Sequence, residues 1–286
     1  MTFSIAARSP DASQWGVAVA SKFLAVGAAV PAAAAGVGAI ATQAWANLGY
    51  RPDGLRLLRD GLTPDAVVAG LTAADDGAAK RQVGVVGATG DGASYTGTEC
   101  TPWAGGRTGD GYAIQGNILT GPDVVAAMES TYAAADGPFA RQLLAALAAG
   151  DAAGGDKRGR QSAALYVVSE GGGYGGGSDV LVDLRVDDHD NPVPELVRLL
   201  DLHDIYFGKP DPAQVRPLAG DLLAEVAGYL RTVGYLGSGV GDSAAVGIAL
   251  ADWAGVENVE ERLVDGQIDP VVLEMLRGKA GGTASL

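Results

Sequence analysis

The chain opens on a β-hairpin. Two β-like arms, Met1–Arg8 and Trp15–Lys22, are joined by Ser9-Pro10-Asp11-Ala12-Ser13-Gln14, a run of turn formers. Domain termini are usually loose, yet Phe3 and Ile5 are apolar anchors that place the second residue at the head of a strand. Threonine is small enough to permit removal of Met1, after which one residue carries both a hydroxyl nucleophile and a free α-amine. Such an amine titrates near ~7.7–8.0 in a free chain and is able to act as base on its own hydroxyl, with no histidine. The plain alternative is that Thr2 is a strand former in a chain that begins Met-Thr for no catalytic reason.

Beyond the hairpin, Gly27 to Gly36 reads as a small-residue loop before a third strand, Val37–Gln43, apolar enough to be buried on both faces. Trp45, Asn47 and Tyr50 lie on a connecting loop, and helices are expected over Asp53–Arg59 and after Thr63-Pro64-Asp65, with Thr63 as cap. A second strand group covers Gln82–Ala88, Ala93–Gly97 and, after a glycine-rich loop, Gly111–Gly116. Helices then start at Pro122 and Pro138. Strands Ser162–Ser169 and Val180–Val186 flank Gly171–Gly177, a hairpin tip and candidate lid, and helix Val193–Tyr206 closes the domain. Strand groups separated by helix pairs fit two stacked, largely antiparallel sheets with helices outside.

Several of these segments carry a resemblance. Met-Thr-Phe-Ser-Ile, Gly16–Phe23, Ala39–Ala44, Gln115-Gly116-Asn117 and Gly154–Ala164 resemble an uncharacterised bacterial family, domain of unknown function 1028, placed among the N-terminal-nucleophile (Ntn) hydrolases; the likeness runs from residue 1 to about residue 207. It implies an α+β fold, a four-layer αββα sandwich, and hydrolysis of an amide bond by Thr2 with no cofactor.

The net charge of −14, from 20 cations and 34 carboxylates, argues against a nucleic-acid partner. A lone Cys100, read as a small buried hydrophobe, excludes an internal disulfide, and two histidines, His189 and His203, are too few to suggest a histidine-built metal site. The alanine-rich run Val26–Ala41 lacks a basic leader and contains glycines and a proline, so neither a signal nor a membrane helix is expected, and the cytoplasm is the expected compartment.

Three residues are candidate catalytic groups: Thr2; Lys22, which ends the second hairpin arm and so neighbours Thr2; and Asn117, whose amide suits an oxyanion. Their ordinary readings are a strand threonine, a solvated lysine and a turn asparagine. Ser21, Gln43, Asn47, Lys157 and Arg160 are candidate substrate contacts. Lys157-Arg158-Gly159-Arg160 groups three cations in an acidic chain, which suits an amide bearing a carboxylate, unless Asp156 or the run Asp183–Asp190 simply pairs with them. That acidic run is read as leading into a helix at Asn191-Pro192 rather than as a cation site. The competing function is a non-catalytic binding protein for wall-derived or peptide-like molecules.

Residues 208–216 read as a linker, and 217–286 as a small all-α domain resembling peptidoglycan-binding modules, on its first helix, Gly234-Tyr235-Leu236-Gly237 and Ala249–Asn258. A docking module is the alternative. Tyr229, Tyr235 and Trp253 look too large for so small a module to bury, so they are expected to dock on the main domain or across a dimer interface, and a homo-oligomer, a dimer first, is the expected assembly.

Overall fold

The computed structural model describes residues 2–239 and 242–282. Met1, assigned above to the first arm, lies outside them, as do tail residues 240–241 and 283–286. In chain order the first part contains β1 (Thr2–Arg8), β2 (Gln14–Ser21), the single turn α1 (Val26–Ala29), β3 (Pro31–Ala34), β4 (Gly38–Ala44), α2 (Tyr50–Arg59), α3 (Pro64–Ala73), β5 (Arg81–Gly87), β6 (Ala93–Thr96), β7 (Gly105–Gly109), β8 (Tyr112–Asn117), α4 (Asp123–Ala134), α5 (Phe139–Ala152), β9 (Ser162–Ser169), β10 (Val180–Val186) and α6 (Pro192–Phe207). The loop expected at Gly27–Gly36 contains β3, which pairs with β4, and the glycine-rich loop contains β7, an edge strand beside β8. Glycine and alanine carry weak strand propensity, so both strands rest on their neighbours' ladders. Tyr50 belongs to α2 rather than to a loop.

The strands form two antiparallel sheets, ordered β10-β9-β2-β1-β8-β7 and β3-β4-β5-β6. Side chains alternate across each strand, and here both faces are covered. On the outer side Ile40, Val83 and Val85 meet Tyr50, Leu58, Val67 and Leu71 of α2 and α3. On the inner side Ala6, Val17, Val19, Ala39, Ala41, Val86 and Ala113 make a shared core between the sheets. Helix α5 covers the outer face of β1 and β2, and α4 packs beside it. Thr63 caps α3 as expected, its side chain accepting the Ala66 N–H.

The chain divides into two compact units, 1–199 and 200–286, so the boundary falls inside α6. Ile205 and Tyr206 pack on the second unit's core, which draws the end of that helix into the tail. That unit continues with β11 (Arg216–Pro217), α7 (Gly220–Thr232), α8 (Ser243–Glu257), β12 (Gln267–Ile268) and α9 (Pro270–Ala280). It is helical apart from the two-residue pair β11–β12, so the all-α expectation is corrected in that detail. Trp253 is also corrected: α8 directs it into the tail's own core with Leu230, Val246 and Leu276, leaving 1% of it exposed.

Candidate functional site

The inner faces of the sheets change character along their length. Apolar residues fill one end, whereas the other end receives Thr2 and Ser4 of β1, Gln43 of β4, Gln82 of β5, and Gln115 and Asn117 of β8, all buried. Their positions follow from pleat and register, since Thr2 pairs with Asn117, Ser4 with Gln115 and Gln43 with Gln82. Buried amides need partners, and these supply one another except at Gln115 Oε1, which is buried with no hydrogen-bond partner among the described residues. Gln82 Oε1 accepts from Gln43 Nε2 at 2.8 Å and from Asn117 Nδ2 at 2.9 Å, while Gln82 Nε2 donates to the Gly116 carbonyl at 2.7 Å and to Thr96 Oγ1 at 2.9 Å. Gln43 Nε2 also donates to the Thr2 carbonyl at 3.2 Å. Ser4 Oγ donates to Gln43 Oε1 and accepts from Gln115 Nε2. Gln115 fits because residue 84, facing it, is glycine: a Cβ there would lie 2.0 Å from Gln115 Oε1.

At this end of the sandwich opens a cavity of about 550 Å³. Thr2, Ser21, Gln43 and Asn117 line its floor, and Thr2 Oγ1 lies 3.1 Å from Ser21 Oγ. Ala44 and Ile118, just where β4 and β8 end, also line it and have φ values of 68° and 50°. Left-handed backbone at a β-branched residue is strained, and such strain gathers at functional sites. Ile118 is held there by its N–H on the Thr101 carbonyl and by the Lys157 N–H on its own carbonyl.

One wall of the cavity rests on Asp75. Its carboxylate accepts from Arg81 Nε at 2.9 Å, Asn47 Nδ2 at 3.0 Å, Tyr50 Oη at 2.9 Å and the Gly77 N–H at 2.8 Å. Arg81, then Asn47, hold that carboxyl far below the usual carboxylate range, and burial followed by Asp75 pushes the Tyr50 phenol up. Arg81, which lines the cavity, also donates to the Trp45 carbonyl. On the opposite side buried Asp156 accepts the Lys22 N–H at 2.7 Å and the Arg158 N–H at 2.8 Å, tying the end of β2 to the 154–160 loop.

Ser21 and Gln43 thus join Thr2 and Asn117 in one pocket, although Gln43's amide is taken up by the network. The other expected contacts lie elsewhere. Lys22 is exposed, one residue past the strand position that turns Ser21 inward, and is not part of the cavity lining. Asn47 is half-buried behind the wall, bonded to Asp75 and to the Gly49 N–H. Lys157 is exposed, and Arg160 forms an ion pair with Asp151 at 2.8 Å, so of the three grouped cations Arg158 is the one that lines the cavity. Gly171–Gly177 follows Ser169, which pairs with Gln14 at the far end of the sheet from Ser21, so it is no lid over this cavity.

Cys100 is another correction. It is half-buried on the cavity wall, its Sγ donating to the Arg81 carbonyl at 3.3 Å, and burial pushes its thiol up, away from the nucleophilic thiolate. Sequence reasoning also missed Gln82, Arg81 and the rim residues Phe23, Trp45 and Leu48, and it marked Arg158 only as one of a group of three cations. A signal existed for Gln82: like Gln43, it is the single amide side chain in a largely apolar strand.

Comparison with known proteins follows the same division of the chain. The profile of a family of unknown function (DUF1028) matches residues 2–196. The chain belongs to the DUF1028 family. The crystal structure of protein SPO2555 from Silicibacter pomeroyi, assigned to DUF1028, is 31% identical, with a TM-score of 0.64 over 78% of this chain and 92% of that one. A second profile, described as "Putative peptidoglycan binding domain", matches residues 206–276 of this DUF1028 member. No curated protein matches it. Among the described residues no helix is long and apolar enough to cross a membrane.

Proposed function

We propose that this DUF1028 protein is an Ntn-type amidohydrolase, its paired sheets and flanking helices being the αββα sandwich of that class. The observation that carries the reading is the placement of Thr2: the head of a buried strand, on the floor of a cavity, with its hydroxyl beside Ser21. After removal of Met1 the α-amine of Thr2 takes the proton from Oγ1 as that oxygen attacks an amide carbonyl. The amine returns the proton to the leaving nitrogen, and water then clears the ester to regenerate the hydroxyl. Asn117 pairs with Thr2 across the ladder; one N–H of its amide is held by Gln82, and the second serves the developing oxyanion. Lys22 has no part in this scheme.

The test is covalent labelling. An electrophilic β-lactone should acylate protein whose N-terminal residue is Thr2, with the adduct mapped to Thr2 by peptide mass spectrometry. Thr2→Ala and a form extended at its N-terminus should remain unlabelled. Equal labelling of the extended form would rule out the amine as base, and an adduct on Ser4 or Ser21 would move the nucleophile.

A further inference from the structure

The hydrolase reading does not say what kind of amide the cavity takes, but its walls carry that information. The floor is polar, and the mouth is not. Phe23, which follows β2, and Trp45 and Leu48, which follow β4, all line the cavity while 54%, 73% and 47% exposed. Exposed apolar residues scattered singly are ordinary, but three that converge on one opening form a patch, and such patches mark binding sites. The rim is anchored as well. The Trp45 N–H donates to the Lys80 carbonyl at 3.3 Å and the Trp45 carbonyl accepts from Arg81 Nη1, while the Phe23 carbonyl accepts from Ser162 Oγ. These exposed rings stand on fixed backbone, which lowers the entropy lost when a ligand packs against them. Val26, Val30 and Ile118 continue the apolar surface inward. A volume of about 550 Å³ sits within the range of roughly 300–1,000 Å³ typical of small-molecule sites.

Charge at the cavity is already balanced. The ionic groups of its lining are Lys80, Arg81, Arg158 and Glu99. Each cation meets a carboxylate: Lys80 with Glu99 at 3.8 Å, Arg81 with Asp75 at 2.9 Å and Arg158 with Asp156 at 3.4 Å. Arg81 is committed further to the Trp45 carbonyl, and buried Asp156 to the Lys22 and Arg158 N–H groups. A ligand ion entering this space would exchange its hydration for groups that are already neutralised, or would break a pair and leave the displaced carboxylate without its cation. Both are unfavourable, and an uncharged ligand incurs neither cost.

We propose that the cavity takes a small, uncharged amide with one extended apolar arm: the amide carbonyl faces Thr2 and Asn117 on the floor, and the arm follows the apolar wall out to Phe23, Trp45 and Leu48. As a statement about a substrate this rests on the hydrolase reading, but ligand chemistry can be measured with catalysis removed. In Thr2→Ala, calorimetric titration compares N-methylhexanamide with its short-chain counterpart N-methylacetamide and with two charged hexanoyl amides, anionic N-hexanoylglycine and cationic N-(2-aminoethyl)hexanamide. The neutral hexanamide should bind about tenfold or more tighter than the acetamide, since each methylene removed from water is worth roughly fourfold. It should bind about fivefold or more tighter than either charged amide. Adding Trp45→Ala should shrink the chain-length effect and leave the charge ranking in place; Trp45 is exposed, so its removal spares the fold.

Thr2→Val, of equal shape, repeats the titration if the alanine variant is unstable. A charged amide that binds as tightly as the neutral one, an affinity independent of chain length, or no binding by folded protein overturns the proposal. If wild-type protein starting at Thr2 cleaves acetyl and hexanoyl amides alike, or cleaves a charged amide best, the proposal falls and the hydrolase reading stands. If the ranking appears in Thr2→Ala but wild type cleaves none of these amides, the ligand class stands and the hydrolase reading falls.

Discussion

Replacing Gln82 by leucine separates the buried amide network from the shape of the core. The side chains have similar volume and residue 82 is fully buried, so the change leaves packing nearly intact while deleting every polar contact. Besides Gln43, four groups lose their partner in Gln82: the Asn117 N–H, the Gly116 carbonyl, Thr96 Oγ1 and, at 3.3 Å, the Gly105 carbonyl. Gln43 is less affected, because its Nε2 still reaches the Thr2 and Gln115 carbonyls. The buried Asn117 and Gly116 groups each cost about 1–3 kcal/mol when left unsatisfied. Thr96 is half-buried and within reach of water, so it adds less. The added apolar side chain offsets about 1 kcal/mol, leaving a net destabilisation of roughly 2–5 kcal/mol. At roughly 2–4 °C per kcal/mol, the first unit's melting temperature should fall by about 4–20 °C. Differential scanning calorimetry reads this directly if the two units melt separately, with Thr96→Val as the single-bond control. A shift of less than about 1 °C in Gln82→Leu would refute the claim that these bonds support the strand ends around Thr2.

Acid should act through Asp75. Because its folded-state pKa is depressed, its contribution is fully present above the unfolded value of about 3.9 and is lost as pH falls through the folded value; the melting difference between wild type and Asp75→Asn should therefore be largest near neutrality and shrink toward acid, and a gap independent of pH would refute it. Cys100, whose thiol is pushed up by burial, should react with iodoacetamide at neutral pH more slowly than free cysteine, and Cys100→Ala should keep most of the proposed amidase activity; loss of that turnover in a folded variant would place the thiol in the chemistry. In the tail, Arg262 pairs with buried Asp269 at 3.0 Å and donates to the Asp204 and Ile205 carbonyls, so Arg262→Ala should cost about 3–5 kcal/mol in that unit, read as a lowered tail transition by calorimetry. An unchanged transition would show the pair to be dispensable.

Local elements were legible because their causes lie within a few residues. The hairpin followed from its turn formers and its apolar arms, α3 from the Thr63 cap and Pro64, and burial of β4 on both faces from its continuous apolar run. Strands β3 and β7 escaped notice because their residues have little strand preference of their own; only pairing with β4 and β8 makes them strands. The pocket shows the same limit more sharply. Thr2, Ser21, Gln43 and Asn117 were marked one by one, but Gln82, which bonds both Gln43 and Asn117, comes from a strand far from Asn117 in the chain and is brought to them by ladder register and sheet stacking. A shift of one residue at the end of β2 separates Ser21, on the cavity floor, from exposed Lys22. Among Lys157, Arg158 and Arg160, composition marked a basic cluster, whereas Asp156 and Asp151 decided which side chain reaches the cavity. Tail size suggested an exposed Trp253, yet α8 turns it inward, since a residue's burial depends on the helix face it occupies and on what packs there. Sequence by itself determined which segments become helix or strand wherever pattern and caps agree; tertiary structure decided which strand ends share an edge, because that depends on pairings between distant segments that no local preference encodes.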